Sequence, residues 1–227
     1  MSEASPRRIM ALIDSLIQKG YLKTPRIIEA FKKIKREDFL PSGSEDLAEI
    51  DEAMPIGFGQ TISQPLVVAF MLELLQPEPG DKILDVGSGS GWTTGLLSEI
   101  VGEKGKVIAV ELVPELKEFG EKNVARYNFI EKGIAEFICA DGSKGYPVEE
   151  DKSSSSPFAN ARVFDKILAS AAAVRLPQAW KEQLKVNGRI VVPINSSIWR
   201  FIKIGDSMFR EEEYSGFLFV PLIESQT

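Results

Sequence analysis

Residues Lys82 to Leu97 read KILDVGSGSGWTTGLL. A short apolar run ends at an acid, Asp85; Gly87, Gly89 and Gly91 follow on alternate positions, and Trp92 opens a stretch with a helical pattern. A strand, a tight glycine turn and a helix N-terminus are the local geometry that holds a nucleotide-like cofactor. A dinucleotide fingerprint requires G-x-G-x-x-G, and counting from Gly87 the sixth position is Trp92. The missing third glycine is the one that lets helix and strand pack closely. No G-K-[ST] follows, which excludes a phosphate-cradling P-loop. An acid placed before the turn repels a pyrophosphate and favours a positively charged ligand. S-adenosylmethionine carries a sulfonium and an ammonium and no phosphate, so it matches this charge pattern better than NAD does. The bland alternative is a tight turn that holds no ligand.

Two further acids lie outward from this stretch. Glu111 ends the apolar run VIAVE, where a carboxylate can accept both ribose hydroxyls. Asp141-Gly142 ends FICADG, where a carboxylate can accept from an adenine amine and the glycine lets the base approach. Acids at strand ends are common caps, so each alone says little. Three on successive strands of a sheet whose ligands bind at those ends form a stronger combination. The wider chain alternates: strands KILDV, KVIAVEL, AEFICAD, VFDKILAS and GRIVVPI are interleaved with helical patterns from Trp92 to Val101, Pro114 to Tyr127 and Pro177 to Lys185. That predicts an α/β fold with a Rossmann-like, doubly wound, mostly parallel sheet. The tail, Ile198 to Leu222, has two strand-like runs and no helix between them, which predicts a C-terminal antiparallel strand pair on the sheet edge.

Before the sheet, Ile9, Met10, Ile13, Leu16 and Ile17 share one helical face ending near Gly20, and Thr24-Pro25 reads as N-cap and first position of a second helix. We read residues 1–55 as an N-terminal helical extension packed on a core domain at 56–227. Met54 to Ser63 reads as a glycine-rich loop feeding a helix that starts near Pro65. Pro147 to Val163 is polar with four consecutive serines, and its 147–162 portion is expected to be a flexible insertion nicked first by protease at Ser153 to Ser156. Cys139 is expected to be a core filler, and Trp180 and Trp199 to pack.

Composition narrows the chemistry. The 227-residue chain has no histidine, which excludes histidine ligands, triads and a histidine base. One cysteine allows no internal disulfide. No metal site is expected. A net charge of −6 disfavours bulk nucleic-acid binding, and the basic residues Arg7, Arg8, Lys32, Lys33, Lys35 and Arg36 are read as solvated helix faces. MSEASPRRIM has no apolar core and the run PLVVAFML is too short for a membrane span. A cytoplasmic, monomeric protein without membrane or nucleic-acid partners is expected.

MPIGFGQTISQP (54–65), DVGSGSGW (85–92), DGSKGYP (141–147), LKVNGRIVVPI (184–194) and FVPL (219–222), in this order, resemble the protein-L-isoaspartate O-methyltransferase family. The resemblance runs from about Arg26 to Leu222. The G-x-G-x-G turn is shared by many methyltransferases; the GQTISQP loop with a terminal FVPL is specific to this family. The resemblance implies methylation of L-isoaspartyl carboxylates in damaged proteins and peptides, initiating their repair, with S-adenosyl-L-methionine as cofactor. It places Gln60, Ile62, Asp85, Gly87, Ser88, Gly89, Gly91, Trp92, Glu111, Leu112, Asp141 and Gly142 at the cofactor. Ser63 falls at the family's active-site serine, with Thr61 beside it, and the two are implied to hydrogen-bond the acceptor carboxylate and the methionine end of the cofactor. Ile56, Gly59, Ala171 and the backbone around Val220 fall to the substrate. The chemistry suits the composition: an acceptor carboxylate with a pKa near ~4 is already ionised and needs no base. For Thr61 and Ser63 the competing role is capping of the helix at Pro65.

The match departs in four places. Leu66 replaces a frequent histidine, Asn195 replaces a glycine, the serine-rich stretch is longer than usual, and the chain runs only five residues past FVPL. These leave open a different carboxylate acceptor, such as a dedicated precursor peptide, or a non-catalytic S-adenosylmethionine-binding module.

Overall fold

The computed structural model describes residues 6–146 and 164–223, with side chains from residue 11 onward. The expected insertion at 147–162, and with it the Ser153–Ser156 nick, lies outside them. The frame is a seven-stranded sheet: β3 (Lys82–Val86), β4 (Lys106–Glu111), β5 (Ala135–Cys139), β6 (Phe164–Ala169), β7 (Leu184–Ile194), β8 (Ser197–Lys203) and β9 (Phe209–Ser215). Their spatial order is β5-β4-β3-β6-β7-β8-β9. β3 to β7 run parallel, and β8 and β9 return antiparallel at the edge.

Alternation along the strands divides the core in two. Ile83, Val107, Ala109, Phe137, Leu168 and Val191 face a cluster built with α1 (Pro6–Gln18), α2 (Pro25–Lys33), α3 (Pro65–Leu75), α4 (Trp92–Val101) and α5 (Pro114–Ala125). Leu84, Val86, Ile108, Val110, Ile167, Ala169, Ile190 and Val192 face a second cluster with Trp180 of α6 (Gln178–Gln183). Strands buried on both faces must be apolar throughout, which is why KILDV carries a single acid. That acid, Asp85, projects toward α4.

The order of the sheet reverses at β3, whose neighbours are β4 on one side and β6 on the other. A crevice opens at the carboxyl ends of strands at such a switch point. Residues 54–63 cover it, and here the expectation of a loop is corrected. Met54–Gly57 (β1) and Gln60–Ile62 (β2) form an antiparallel hairpin. Gly57, Phe58 and Gly59 all have positive φ, of 94°, 53° and 70°. Two positive-φ residues between the strands give the backbone twist of a tight hairpin. Glycine supplies this readily and phenylalanine does not, so the pattern was hidden. At Asn195, φ is 54°, and asparagine tolerates the left-handed region a glycine would occupy.

The N-terminal helices dock on the sheet's helical layer. Thr24 caps α2 by position, but its hydroxyl donates to Glu73 Oε2 at 2.7 Å rather than to its own helix. Tyr127 Oη donates to Asp38 Oδ2 at 2.5 Å and accepts from Lys35 N at 3.0 Å, tying the extension to the end of α5. Ile13 and Leu16 are buried as expected, whereas Ile17 lies at the rim of the face, 38 % exposed. Cys139 is also corrected: on the edge strand β5 it is exposed, its Sγ 3.7 Å from Leu112 O. It shares a face with the buried Ala135 and Phe137 but stands last in the strand, at the carboxyl end of the sheet edge. Trp180 is fully buried and donates to Gly142 O at 2.8 Å, and Trp199 stacks on Phe201.

Candidate active site

The crevice at the switch point is lined by Gln60–Ser63, Val86–Ser90, Trp92, Thr93, Val110–Val113, Gly142, Ser170, Ala171 and Val220–Ile223, and encloses about 770 Å3 including its open mouth. Of the residues singled out in the sequence, Gln60, Thr61, Ile62, Ser63, Gly87, Ser88, Gly89, Trp92, Glu111, Leu112, Gly142, Ala171 and Val220 meet there. Ile56, Gly59, Asp85, Gly91 and Asp141 are not among its lining residues.

Each of these five has a position that explains why. Asp85 has no exposed surface. Its Oδ2 accepts from Thr94 Oγ1 at 2.7 Å, and its Oδ1 has no hydrogen-bond partner. Loss of water raises this carboxyl to about 7, the Thr94 hydrogen bond opposing the rise and the charge of Glu111 adding to it. Gly91 is a packing glycine: a Cβ there would sit 2.7 Å from Gly120 O on α5. Asp141 caps the short 3-10 turn Gly142–Lys144 through Oδ1, accepting from Ser143 N at 3.0 Å and Ser143 Oγ at 2.6 Å. Ile56 lies buried behind the turn, 3.3 Å from where a Gly89 Cβ would be. Gly59 makes the hairpin bend.

The glycine turn spends its own amides. Gly87 N and Ser88 N donate to Val110 O at 2.8 and 3.3 Å, and Gly91 N donates to Ser88 O at 2.8 Å. Gly89 N donates to Glu111 Oε2 at 2.9 Å. A pyrophosphate would find these N–H groups already engaged, so the turn is built for a ligand that does not need them. Glu111 Oε1 accepts from Leu112 N at 2.8 Å and Val113 N at 3.1 Å. Of about four acceptor directions on the carboxylate, three are filled, and Oε2 keeps one for a ligand hydroxyl. Ser88 Oγ and Trp92 Nε1, both buried on the crevice wall, have no hydrogen-bond partner. These orphaned groups, with Glu111 and the absence of a phosphate nest, fit an adenosine-type ligand bearing a cation.

Across the crevice, Thr61 is exposed and Ser63 half-buried. The capping role weighed for Ser63 falls to another residue. The N-cap of α3 is Gln64, without a side-chain cap, and Asp51 Oδ1 accepts from Leu66 N at 2.9 Å. An aspartate in an otherwise irregular stretch, far from the helix in sequence, carries no periodic signal. Asn123 was missed likewise: 1 % exposed on α5, it donates to Ser90 O at 3.0 Å and braces the turn. The tail forms the remaining wall. Ala172 N donates to Val220 O and Leu222 N to Ala172 O, both at 2.8 Å. Val220's carbonyl is therefore engaged, and strand alternation turns the backbone groups of Pro221 and Ile223 the other way.

Comparison with known proteins agrees with this geometry. The family model "Protein-L-isoaspartate(D-aspartate) O-methyltransferase (PCMT)" matches residues 7–227. The chain is 38 % identical to a protein-L-isoaspartate O-methyltransferase of Methanopyrus kandleri, over 93 % of this chain and 89 % of the relative. It is 37 % identical to one of Aeropyrum pernix, over 98 % and 83 %. A Plasmodium falciparum structure described as this methyltransferase in complex with S-adenosyl-L-homocysteine shares the fold with a TM-score of 0.80, at 23 % identity over 95 % of this chain and 98 % of that one.

Proposed function

Because the chain belongs to the protein-L-isoaspartate(D-aspartate) O-methyltransferase family, we propose that it transfers a methyl group from S-adenosyl-L-methionine to the stray carboxylate of L-isoaspartyl residues in proteins and peptides. The observation that carries this reading is the facing of Thr61 and Ser63 across one crevice from a glycine turn whose amides are spent and whose strand-end acid, Glu111, keeps an acceptor direction open.

The cofactor supplies an electrophilic methyl on a sulfonium. The chain's own residues do the rest. Glu111, Leu112 and Gly142 hold the adenosine end, and Gly87–Gly89 with Trp92 border the amino-acid end. Asp85, buried beneath the turn with its pKa raised to about 7, adds negative potential toward a cation only in its ionised form. Thr61 and Ser63 donate hydroxyl protons to the acceptor carboxylate, orienting it without neutralising it. Since the acceptor is already ionised, no residue has to take a proton, and a chain without histidine loses nothing. The catalytic task is placement of one oxygen ~3 Å from the methyl carbon, with water kept away by the hairpin and the tail. Ala171 leaves room for the peptide. Val220 contacts it by side chain, and the outward groups of Pro221 and Ile223 are the backbone around Val220 that pairs with it.

Residues 1–55 serve as an extension to the methyltransferase domain at 56–227. The protein acts as a cytoplasmic monomer without nucleic acid. Among the described residues, no helix is long and apolar enough to cross a membrane. Product analysis tests the reaction class. Labelled methyl should enter an isoaspartyl peptide as an ester that mild base releases as methanol. A base-stable product, or labelling of a different carboxylate only, would contradict the proposal.

A further inference from the structure

Arg36 opens the short 3-10 turn Arg36–Phe39. The sequence reading placed it on a solvated basic face with Lys32, Lys33 and Lys35. Those lysines do reach solvent-side acids, Glu29, Glu99 and Glu37. Arg36 does the opposite and is only 6 % exposed. Nη1 donates to Ala48 O and Ile50 O, each at 3.1 Å. Nη2 donates to Glu52 O at 2.7 Å and Ser63 O at 3.1 Å. Its Cζ lies 5.4 Å from the ring centroid of Trp92, which walls the crevice.

The pattern of these carbonyls is informative. Glu52 precedes β1 and Ser63 follows β2, so one nitrogen joins the two ends of the β1–β2 hairpin. The second strand of that hairpin lines the crevice together with Ser63, the residue to which the proposed function gives the acceptor carboxylate. Burying a cation is costly unless it is engaged, and here four carbonyls take the Nη1 and Nη2 hydrogens and an aromatic face lies beside the group, while Nε has no hydrogen-bond partner. Burial lowers the guanidinium to about 10, with Asp51 opposing, so it stays charged at neutral pH. A planar fork suits four acceptors in this arrangement; an ammonium does not.

We propose that Arg36 is a positioning residue for methyl transfer: its guanidinium clasps the base of the β1–β2 hairpin and thereby fixes Ser63 against the cofactor turn. The inference rests on the function proposed above. A displacement of about 1 Å at a reacting group can cost ~100-fold in rate, so the clasp is expected to act on kcat more than on cofactor affinity.

The test compares Arg36→Lys with Arg26→Lys in the full chain. Arg26 also anchors the extension, donating to Pro77 O at 2.6 Å and Gln76 Oε1 at 3.0 Å, but it lies away from the crevice. Three quantities are read for each: S-adenosylhomocysteine affinity, kcat and KM on an isoaspartyl peptide, and hydrogen exchange of residues 54–63. Arg36→Lys should lower kcat about 10- to 100-fold, leave the affinity within about threefold, and speed exchange in 54–63 while residues 82–97 stay protected. Arg26→Lys should leave kcat and that exchange unchanged at a similar loss of Tm. Unchanged exchange in Arg36→Lys, or equal kcat losses in the two variants, would overturn the proposal. So would collapse of the fold in Arg36→Lys, which would make the residue structural. Were the parent protein to transfer no methyl group, the function reading would fail, and the exchange data alone would still decide whether Arg36 clasps the hairpin.

Discussion

Asp85 sits without exposed surface under the glycine turn, and its pKa is raised from 3.8 to about 7 chiefly by burial. The folded protein therefore holds a proton between those values that the unfolded chain has released. Stability from this group falls as pH rises through that window, and the loss is complete above about 7. A shift of roughly three units corresponds to about 4 kcal/mol, of which roughly 2–3 kcal/mol is lost between pH 5 and 8. Asp85→Asn removes this dependence, so urea unfolding should show the variant gaining on the parent over that interval; parallel pH profiles would contradict it. Ser63→Ala removes an orienting hydroxyl and should lower kcat/KM roughly 10- to 100-fold, with cofactor affinity unchanged by calorimetry. At this scale the sequence was legible where a residue sits on a motif, as at Glu111 and Ser63, both of which line the crevice. It was opaque where tertiary contact decides, as at Arg36, whose charge suggested solvent, and Cys139, whose apolar neighbours suggested burial.

Helices and hairpins are set by close approaches that no periodicity announces. Gly120 lies inside α5, where alanine would ordinarily gain about 1 kcal/mol. A Cβ there would stand 2.7 Å from Gly89 O and 3.2 Å from Gly91 N, both backbone atoms of the cofactor turn. Gly120→Ala is therefore expected to lower Tm and weaken S-adenosylhomocysteine binding at least tenfold, against the sign of helix propensity. Asp51→Ala should cost about 1 kcal/mol by uncapping α3, read as a Tm loss of about 2–4 °C. The strands of the parallel sheet were legible because each is a short apolar run between turn signals. The β1–β2 hairpin was not, since its strands are short and an aromatic, Phe58, occupies a position where glycine or asparagine is the usual sign.

For the whole molecule, the alternation of strands and helices was enough to infer a doubly wound sheet, and the loss of helices after Ile194 to infer the antiparallel edge. The sheet order follows from the reversal at β3, and the reversal places the crevice. What could not be read was how the first 55 residues contribute. Their side chains reach the hairpin through Arg36 and, through Asp38, the Tyr127 hydroxyl just beyond α5. Because a ligand that binds only the folded state stabilises it by about 2.7 kcal/mol at a hundredfold excess over Kd, S-adenosylhomocysteine should raise Tm by roughly 5–10 °C, and NAD should not. The central claim, a carboxylate positioned between the hairpin hydroxyls and the cofactor, is tested most directly by initial rates of methyl transfer to two peptides identical except for isoaspartate or aspartate at one position. Rapid labelling of the isoaspartyl peptide alone is the predicted result; equal labelling of both, or of neither while the cofactor is bound, would contradict it.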